Sequence, residues 1–146
     1  MDPLGGFDAG STVVVVLIER ARGVVLWAGD SRAYRWRASR LERLTCDHAE
    51  LAADGSTNGV ITRAVGGEDQ LELDERAFDV EDGDRLLLCS DGVHAALDDG
   101  VLREMLGSGG GPAAIAARIR EEVLAGAARD NLTALVICAG EPARRP

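Results

Sequence analysis

The sequence predicts an α+β fold built on antiparallel sheets, and two observations carry that prediction. Short β-branched apolar runs recur up to Ser90, then two helical stretches, then one last apolar run. Strands and helices are segregated, and the βα alternation of a parallel sheet is missing.

Thr12 to Ile18 and Val24 to Ala28 are β-branched runs joined by the polar, Gly-containing connection Glu19-Arg20-Ala21-Arg22-Gly23, which reads as a hairpin. Gly29-Asp30-Ser31 is turn chemistry. Tyr34 and Trp36 then alternate with Ala33, Arg35 and Arg37 as in a half-buried strand, and a short piece follows from Leu41 to Thr45. From Cys46 to Gly67 the pattern weakens into a loop-rich excursion with a short helix after Asp47. Leu71, Leu73, Phe78 and Val80 mark a strand with a slip near Glu75. The turn Glu81-Asp82-Gly83-Asp84 sends it back through Arg85 to Ser90 as a second hairpin. Asp98 or Asp99 caps a helix with Val101, Leu102, Met105 and Leu106 on one face; Gly107 to Gly111 breaks it and Pro112 opens another. In the second helix Ile115, Ile119 and Val123 recur every four residues, widened by Ala116 and Leu124, and Leu132 to Ala139 closes the chain as a strand. The reading is a single domain over 1–146, with its core in 10–139 and a tail at 141–146.

Composition narrows the function classes. The net charge of −9 repels phosphate backbones and anionic lipid, so no nucleic-acid partner is expected. The longest apolar run, Val13 to Ile18, falls far short of the about 20 residues of a bilayer span, so no membrane partner is expected either. Met1-Asp2-Pro3-Leu4-Gly5-Gly6 has no signal-peptide pattern, and Cys46, Cys89 and Cys138 are sparse and odd in number. Reduced thiols and a cytoplasmic location are the expectation. Every basic residue is Arg, which carries no functional inference.

Three aspartates stand at ends of expected strands: Asp30 after Val24 to Ala28, Asp91 after Arg85 to Ser90, and Asp130 before Leu132 to Ala139. In an antiparallel sheet the exit of one strand lies beside the entry of its neighbour, so these carboxylates can meet at one edge. An all-oxygen site of that kind suits Mg²⁺ or Mn²⁺. Gly-Asp-Ser, Asp-Gly and Asp-Asn are equally ordinary turn sequences, so spacing alone leaves both readings open.

Order of motifs adds to this. Gly29-Asp30-Ser31-Arg32-Ala33-Tyr34, Leu44-Thr45-Cys46-Asp47-His48, Ile61-Thr62-Arg63-Ala64-Val65-Gly66, Ser90-Asp91-Gly92-Val93 and Asp130-Asn131-Leu132-Thr133 together resemble the bacterial PPM-type (type 2C) metal-dependent protein serine/threonine phosphatases. The resemblance implies a sandwich of two antiparallel β-sheets flanked by helices, with a binuclear Mn²⁺ or Mg²⁺ site at one edge. It implies that Asp91 and Asp130 are the catalytic metal ligands, that Asp30 and Asp91 share a weaker third metal, and that Asn131 supports them. The implied reaction is hydrolysis of phosphoserine or phosphothreonine in a phosphorylated protein, by a metal-bound water and without a phosphoenzyme.

Against the family pattern, an N-terminal strand carrying the bridging Asp-Gly and two long helices are missing, which implies an N-terminally truncated or internally deleted member. Asp2 can be aligned with the bridging metal ligand, although Pro3 then replaces a Gly, and Phe7 to Thr12 equally resembles the linker before the next strand. An upstream phosphate-gripping Arg is absent, and the segment between His48 and Asn58 is shorter than the family's flap. The missing helices leave an apolar sheet face that invites a homo-oligomer, a partner chain or instability. The alternative functions are a weak or inactive phosphatase-like binding module, or a truncated gene product without a role of its own. A thiol phosphatase on Cys138 and Arg144 is disfavoured, because only two residues follow Arg144 and no phosphate-binding helix fits. His48 and His94 read as turn or surface residues, Trp27, Tyr34 and Trp36 as core. Glu68, Asp69, Glu72, Asp74 and Glu75 read as a solvated acidic face.

Overall fold

The computed structural model describes residues 9–66, 70–126 and 130–140. Nine strands and three helices are present among them: β1 Val13–Glu19, β2 Arg22–Ala28, β3 Arg32–Arg37, β4 Arg40–Arg43, β5 Ala49–Leu51, β6 Thr57–Ile61, β7 Asp74–Asp79, β8 Arg85–Cys89, α1 Asp91–His94, α2 Asp99–Gly107, α3 Pro112–Ala125 and β9 Ala134–Cys138.

Two antiparallel sheets, ordered β1-β2-β7 and β4-β3-β8-β9, stack as a sandwich, with β5 and β6 forming a separate pair. The period of two in each strand decides which side chains enter which layer. On β8, Leu86 and Leu88 face the inter-sheet core with Val25, Trp27, Ala33, Leu44, Phe78 and Val80. Leu87 and Cys89 face the other way, joining Tyr34 beneath the helices, where Val93, Leu102, Leu106, Ile115, Ile119 and Val123 are buried. Asp98 caps α2 by accepting the backbone N–H of Val101 at 2.9 Å.

The first hairpin forms as expected, with Val13 opposite Ala28 and Glu19 opposite Arg22. The second does not: β7 pairs with β2, and β8 with β3 and β9, so the turn at Glu81 to Asp84 carries the chain from one sheet to the other. Phe78 explains the preference of β7. Its ring lies over Gly23, where any Cβ would overlap it, so the glycine opens the seat that draws β7 onto β2. The helix expected after Asp47 is the strand β5 instead. Its approach is held in place by His48, whose N–H donates to the carbonyl of Gly29 at 2.9 Å and whose carbonyl accepts from Thr62 at 2.9 Å. Leu71 and Leu73 lie outside β7 and are exposed.

The outward face of the three-stranded sheet stays apolar and open: Val15 and Leu17 are 38% and 58% exposed, opposite Leu26 and Val24. No helix among the described residues is long and apolar enough to cross a membrane.

Candidate functional site

Asp30 sits on the turn between β2 and β3. Gly29 before it adopts φ +109°, and its missing Cβ leaves room for Thr12, so only glycine fits both the conformation and the space. Three contacts then hold this turn. The N–H of Gly29 donates to Nδ1 of His48 at 3.1 Å, and its carbonyl accepts from the His48 backbone. The carbonyl of Asp30 accepts from Nε2 of His94 at 2.8 Å.

Asp91 is the first residue of α1, one residue past the end of β8, and close enough for its charge to act on Asp30. Burial, followed by the charge of Asp91, raises the Asp30 carboxyl above its ordinary pKa, while the neighbouring His94 opposes the shift. Arg32, two residues on from Asp30, is engaged elsewhere: it grips Asp47 through Nε and Nη2 at 2.9 and 2.7 Å and donates to the Tyr34 hydroxyl at 3.0 Å. Burial works to raise Asp47 as well, but the hydrogen bonds and charge of Arg32 outweigh it and hold that carboxyl low. Among the described residues neither Asp30 nor Asp91 has an ion-pair partner.

Asp130 lies on the adjoining loop. Gly92 is packed against the carbonyl oxygen of Asn131, leaving no space for a Cβ. Ser90 and Thr133 exchange hydrogen bonds, Ser90 N–H to the Thr133 carbonyl at 3.1 Å and Thr133 N–H to Ser90 Oγ at 2.9 Å. The loop is therefore fastened beside α1, yet the Asp130 carboxylate is exposed and accepts the N–H of Asn131 at 2.7 Å. Among the described residues no three His, Cys, Asp or Glu side chains converge closely enough to hold a metal ion. The four aspartates singled out in the sequence thus divide: Asp30 and Asp91 come together, Asp130 stands beside them but turns to its own backbone, and Asp2 lies outside the described residues. Asp30 and Asp91 offer oxygen donors alone, the donor type that hard divalent cations take, and no third acid joins them among the described residues.

Two histidines assigned to turns or the surface are instead tied into this site, His94 to Asp30 and His48 to Gly29. The three-residue spacing from Asp91 to His94 was visible, but only a helix beginning at Asp91 gives it meaning. Asp74 is half-exposed but paired: it accepts from Arg63 at 2.6 Å and meets His48 Nε2 at 2.9 Å, while Glu72 and Glu75 are exposed as expected and Glu68 and Asp69 lie outside the described residues. Trp27 and Tyr34 are buried and Trp36 packs partly buried beneath the helices, as expected of core residues. Burial pushes the Cys89 thiol up to about 12, which removes it as a nucleophile, and Arg144 lies outside the described residues.

No family model matches the chain. A serine/threonine phosphatase stp of Listeria monocytogenes serotype 4b is 30% identical over 112 residues, 68% of this chain and 44% of the relative. The structure of PppA, a key regulatory component of the T6SS in Pseudomonas aeruginosa, is 43% identical with a TM-score of 0.81 over 87% of this chain and 56% of that one. The catalytic domain of the serine/threonine protein phosphatase PstP in complex with 2 manganese ions is 30% identical, with a TM-score of 0.81 over 90% of this chain and 60% of that one. The chain spans less than half the length of the curated relatives it matches.

Proposed function

From the premise that this chain belongs to the PPM-type protein serine/threonine phosphatases, a family that uses Mn²⁺ or Mg²⁺, we propose that it hydrolyses phosphoserine and phosphothreonine in phosphorylated proteins. The observation that carries the reading is the pair Asp30 and Asp91, whose charges act on one another at one rim of the sandwich and which have no ion-pair partner among the described residues. Asp30 and Asp91 would hold a divalent cation, and Asp130, on the loop fastened to Gly92, would join them by turning from the Asn131 N–H. Bound cations supply Lewis-acid activation of water and neutralise charge on the phosphoryl group. The chain's own contribution is to hold the carboxylates: Gly29 sets the turn, His48 and His94 grip its peptide groups, and Arg32 occupies Asp47 so that this acid does not compete.

Hydrolysis of a phosphothreonine peptide with added Mn²⁺ tests this. Asp91→Ala and Asp130→Ala are expected to lower the rate by about a hundredfold or more, the scale of losing a group that acts on the transition state. Rates equal to that of the unaltered chain would remove the catalytic reading.

The outward turn of Asp130 favours a second reading, a catalytically weak phosphatase-like module that binds a partner or phosphoprotein. Calorimetric titration with Mn²⁺ separates the two, since an enzyme of this type shows two coupled sites and a degenerate binder one weak site. The open face around Val15 and Leu17 suits a second copy or a partner chain, which sedimentation of the purified chain reveals. Free thiols at Cys46, Cys89 and Cys138 suit a cytoplasmic setting.

A further inference from the structure

We propose that His94 is a positioning residue that fixes the Asp30 turn to the helix bearing Asp91, and so sets the separation of the two carboxylates for a cation. The proposal rests on the reading of Asp30 and Asp91 as cation ligands.

The two aspartates come from elements remote in sequence, and their like charges push them apart. Asp91 belongs to a helix of only four residues, too short to hold its own direction by backbone bonds alone. Val93 anchors that helix from below, fully buried under the sheet. On the upper side the link is His94. It follows Asp91 by three residues, on the same side of the turn, and meets the Asp30 carbonyl at 2.8 Å. A carbonyl oxygen only accepts, so Nε2 of His94 carries the hydrogen.

The same stretch of backbone is held from its other side. Gly29 donates its N–H to His48 Nδ1 and accepts the His48 N–H, and the His48 ring stacks on Trp27 at 6.0 Å between centroids and 10° between planes. With Gly29 gripped at both polar groups and the next carbonyl taken by His94, the Asp30 side chain keeps only its own rotamers to vary. A cation arriving between Asp30 and Asp91 then meets carboxylates already ordered, and the entropy of bringing them together is not charged against binding.

The test is Mn²⁺ affinity, followed by the electron paramagnetic resonance signal of the free ion, so it does not depend on turnover. His94→Ala is expected to bind Mn²⁺ about tenfold more weakly, the scale of one lost hydrogen bond. His94→Gln, whose amide nitrogen can reach the same carbonyl, is expected to return to within about threefold of the unaltered chain. In an Asp30→Ala background, His94→Ala is expected to add nothing. Full affinity in His94→Ala overturns the proposal, as does failure of His94→Gln to recover, or a further loss on top of Asp30→Ala. Wild-type affinity in both Asp30→Ala and Asp91→Ala removes the cation site itself and the proposal with it. Loss in those two variants beside full affinity in His94→Ala removes the proposal alone.

Discussion

The two ends of the β3 and β8 pair handle negative charge in opposite ways. At the end where β3 stops and β8 starts, Asp79, Glu81 and Asp84 each have an arginine. Asp84, with its side chain inaccessible, receives Nε and Nη2 of Arg37, both at 2.6 Å, and the N–H of Glu81 at 2.9 Å. Asp79 is shared by Arg37 and Arg35 at 2.6 and 3.1 Å, and these hydrogen bonds bring its carboxyl down to about 2. At the far end, the charge of Asp91 acts on Asp30 and neither has an ion-pair partner among the described residues, while Arg32 is spent on Asp47. Acids balanced within the chain are structural. Acids left without an ion pair, at a rim braced by two histidines, are where the proposed function places its cation.

That contrast breaks most readily at Gly92. The Asp130 loop is held to α1 by backbone packing and hydrogen bonds, so adding bulk there is costly. Gly92→Ala drives a methyl into the Asn131 carbonyl and is expected to cost about 3 kcal/mol in urea unfolding, separating the Asp130 loop from α1. A loss near zero would mean the two loops are not fastened. Next in size is Asp84→Ala at the balanced end, which strands the Glu81 N–H and removes the main partner of Arg37. It is expected to cost about 2 kcal/mol while Mn²⁺ affinity stays unchanged, and a change in affinity would join the two ends that the comparison separates.

How much of this was legible follows from the range of the interactions involved. The β1 and β2 hairpin, the Asp98 cap and both long helices rest on near neighbours, and their residues announce them. β7 does not: its partner is chosen by Phe78 seating over Gly23, far away in sequence, and the turn at Glu81 to Asp84 resembles a hairpin turn although it bridges two sheets. β5 was hidden because its register depends on Gly29 and Thr62 binding the His48 backbone. At the site, the antiparallel pairing of β3 with β8, Arg32 opposite Cys89, is what sets the turn bearing Asp30 near the start of α1 at Asp91. The roles of His48 and His94 were invisible, because an isolated histidine shows nothing until the peptide groups opposite it are known. The local bond from Asn131 to Asp130 is the ordinary Asx chemistry that the motif also allowed.

Acid sharpens the contrast further. The Asp79 carboxyl is lowered by Arg37 and Arg35; at Asp84, burial acts to raise the carboxyl and the bonds from Arg37 and Glu81 outweigh it. A lowered folded pKa gives stability that is present above the ordinary value of 3.8 and lost as pH falls through the folded value, about 2 for Asp79. Unfolding followed by circular dichroism is expected to show this loss below about pH 4, and Asp79→Asn to flatten it. A profile unchanged by Asp79→Asn would mean that the arginine network contributes nothing to acid resistance.

The smallest effect has the opposite sign. Asp30 is raised by burial and by Asp91, so its contribution is complete below 3.8 and lost as pH rises through the elevated value. Near neutral pH the charged carboxylate is therefore a burden, and Asp30→Asn is expected to stabilise the fold, by less than about 1 kcal/mol because the group is partly solvated and screened. Added Mn²⁺ reverses the ranking. On the proposed function the ion binds the folded aspartate pair and not the unfolded chain, so the unaltered protein is expected to gain stability with Mn²⁺ concentration and overtake the variant, which lacks half of the pair. Equal Mn²⁺-induced shifts in the melting temperature of the two proteins would show that the crowding of Asp30 against Asp91 serves no cation, and the distinction between the balanced and unbalanced ends would lose its functional meaning.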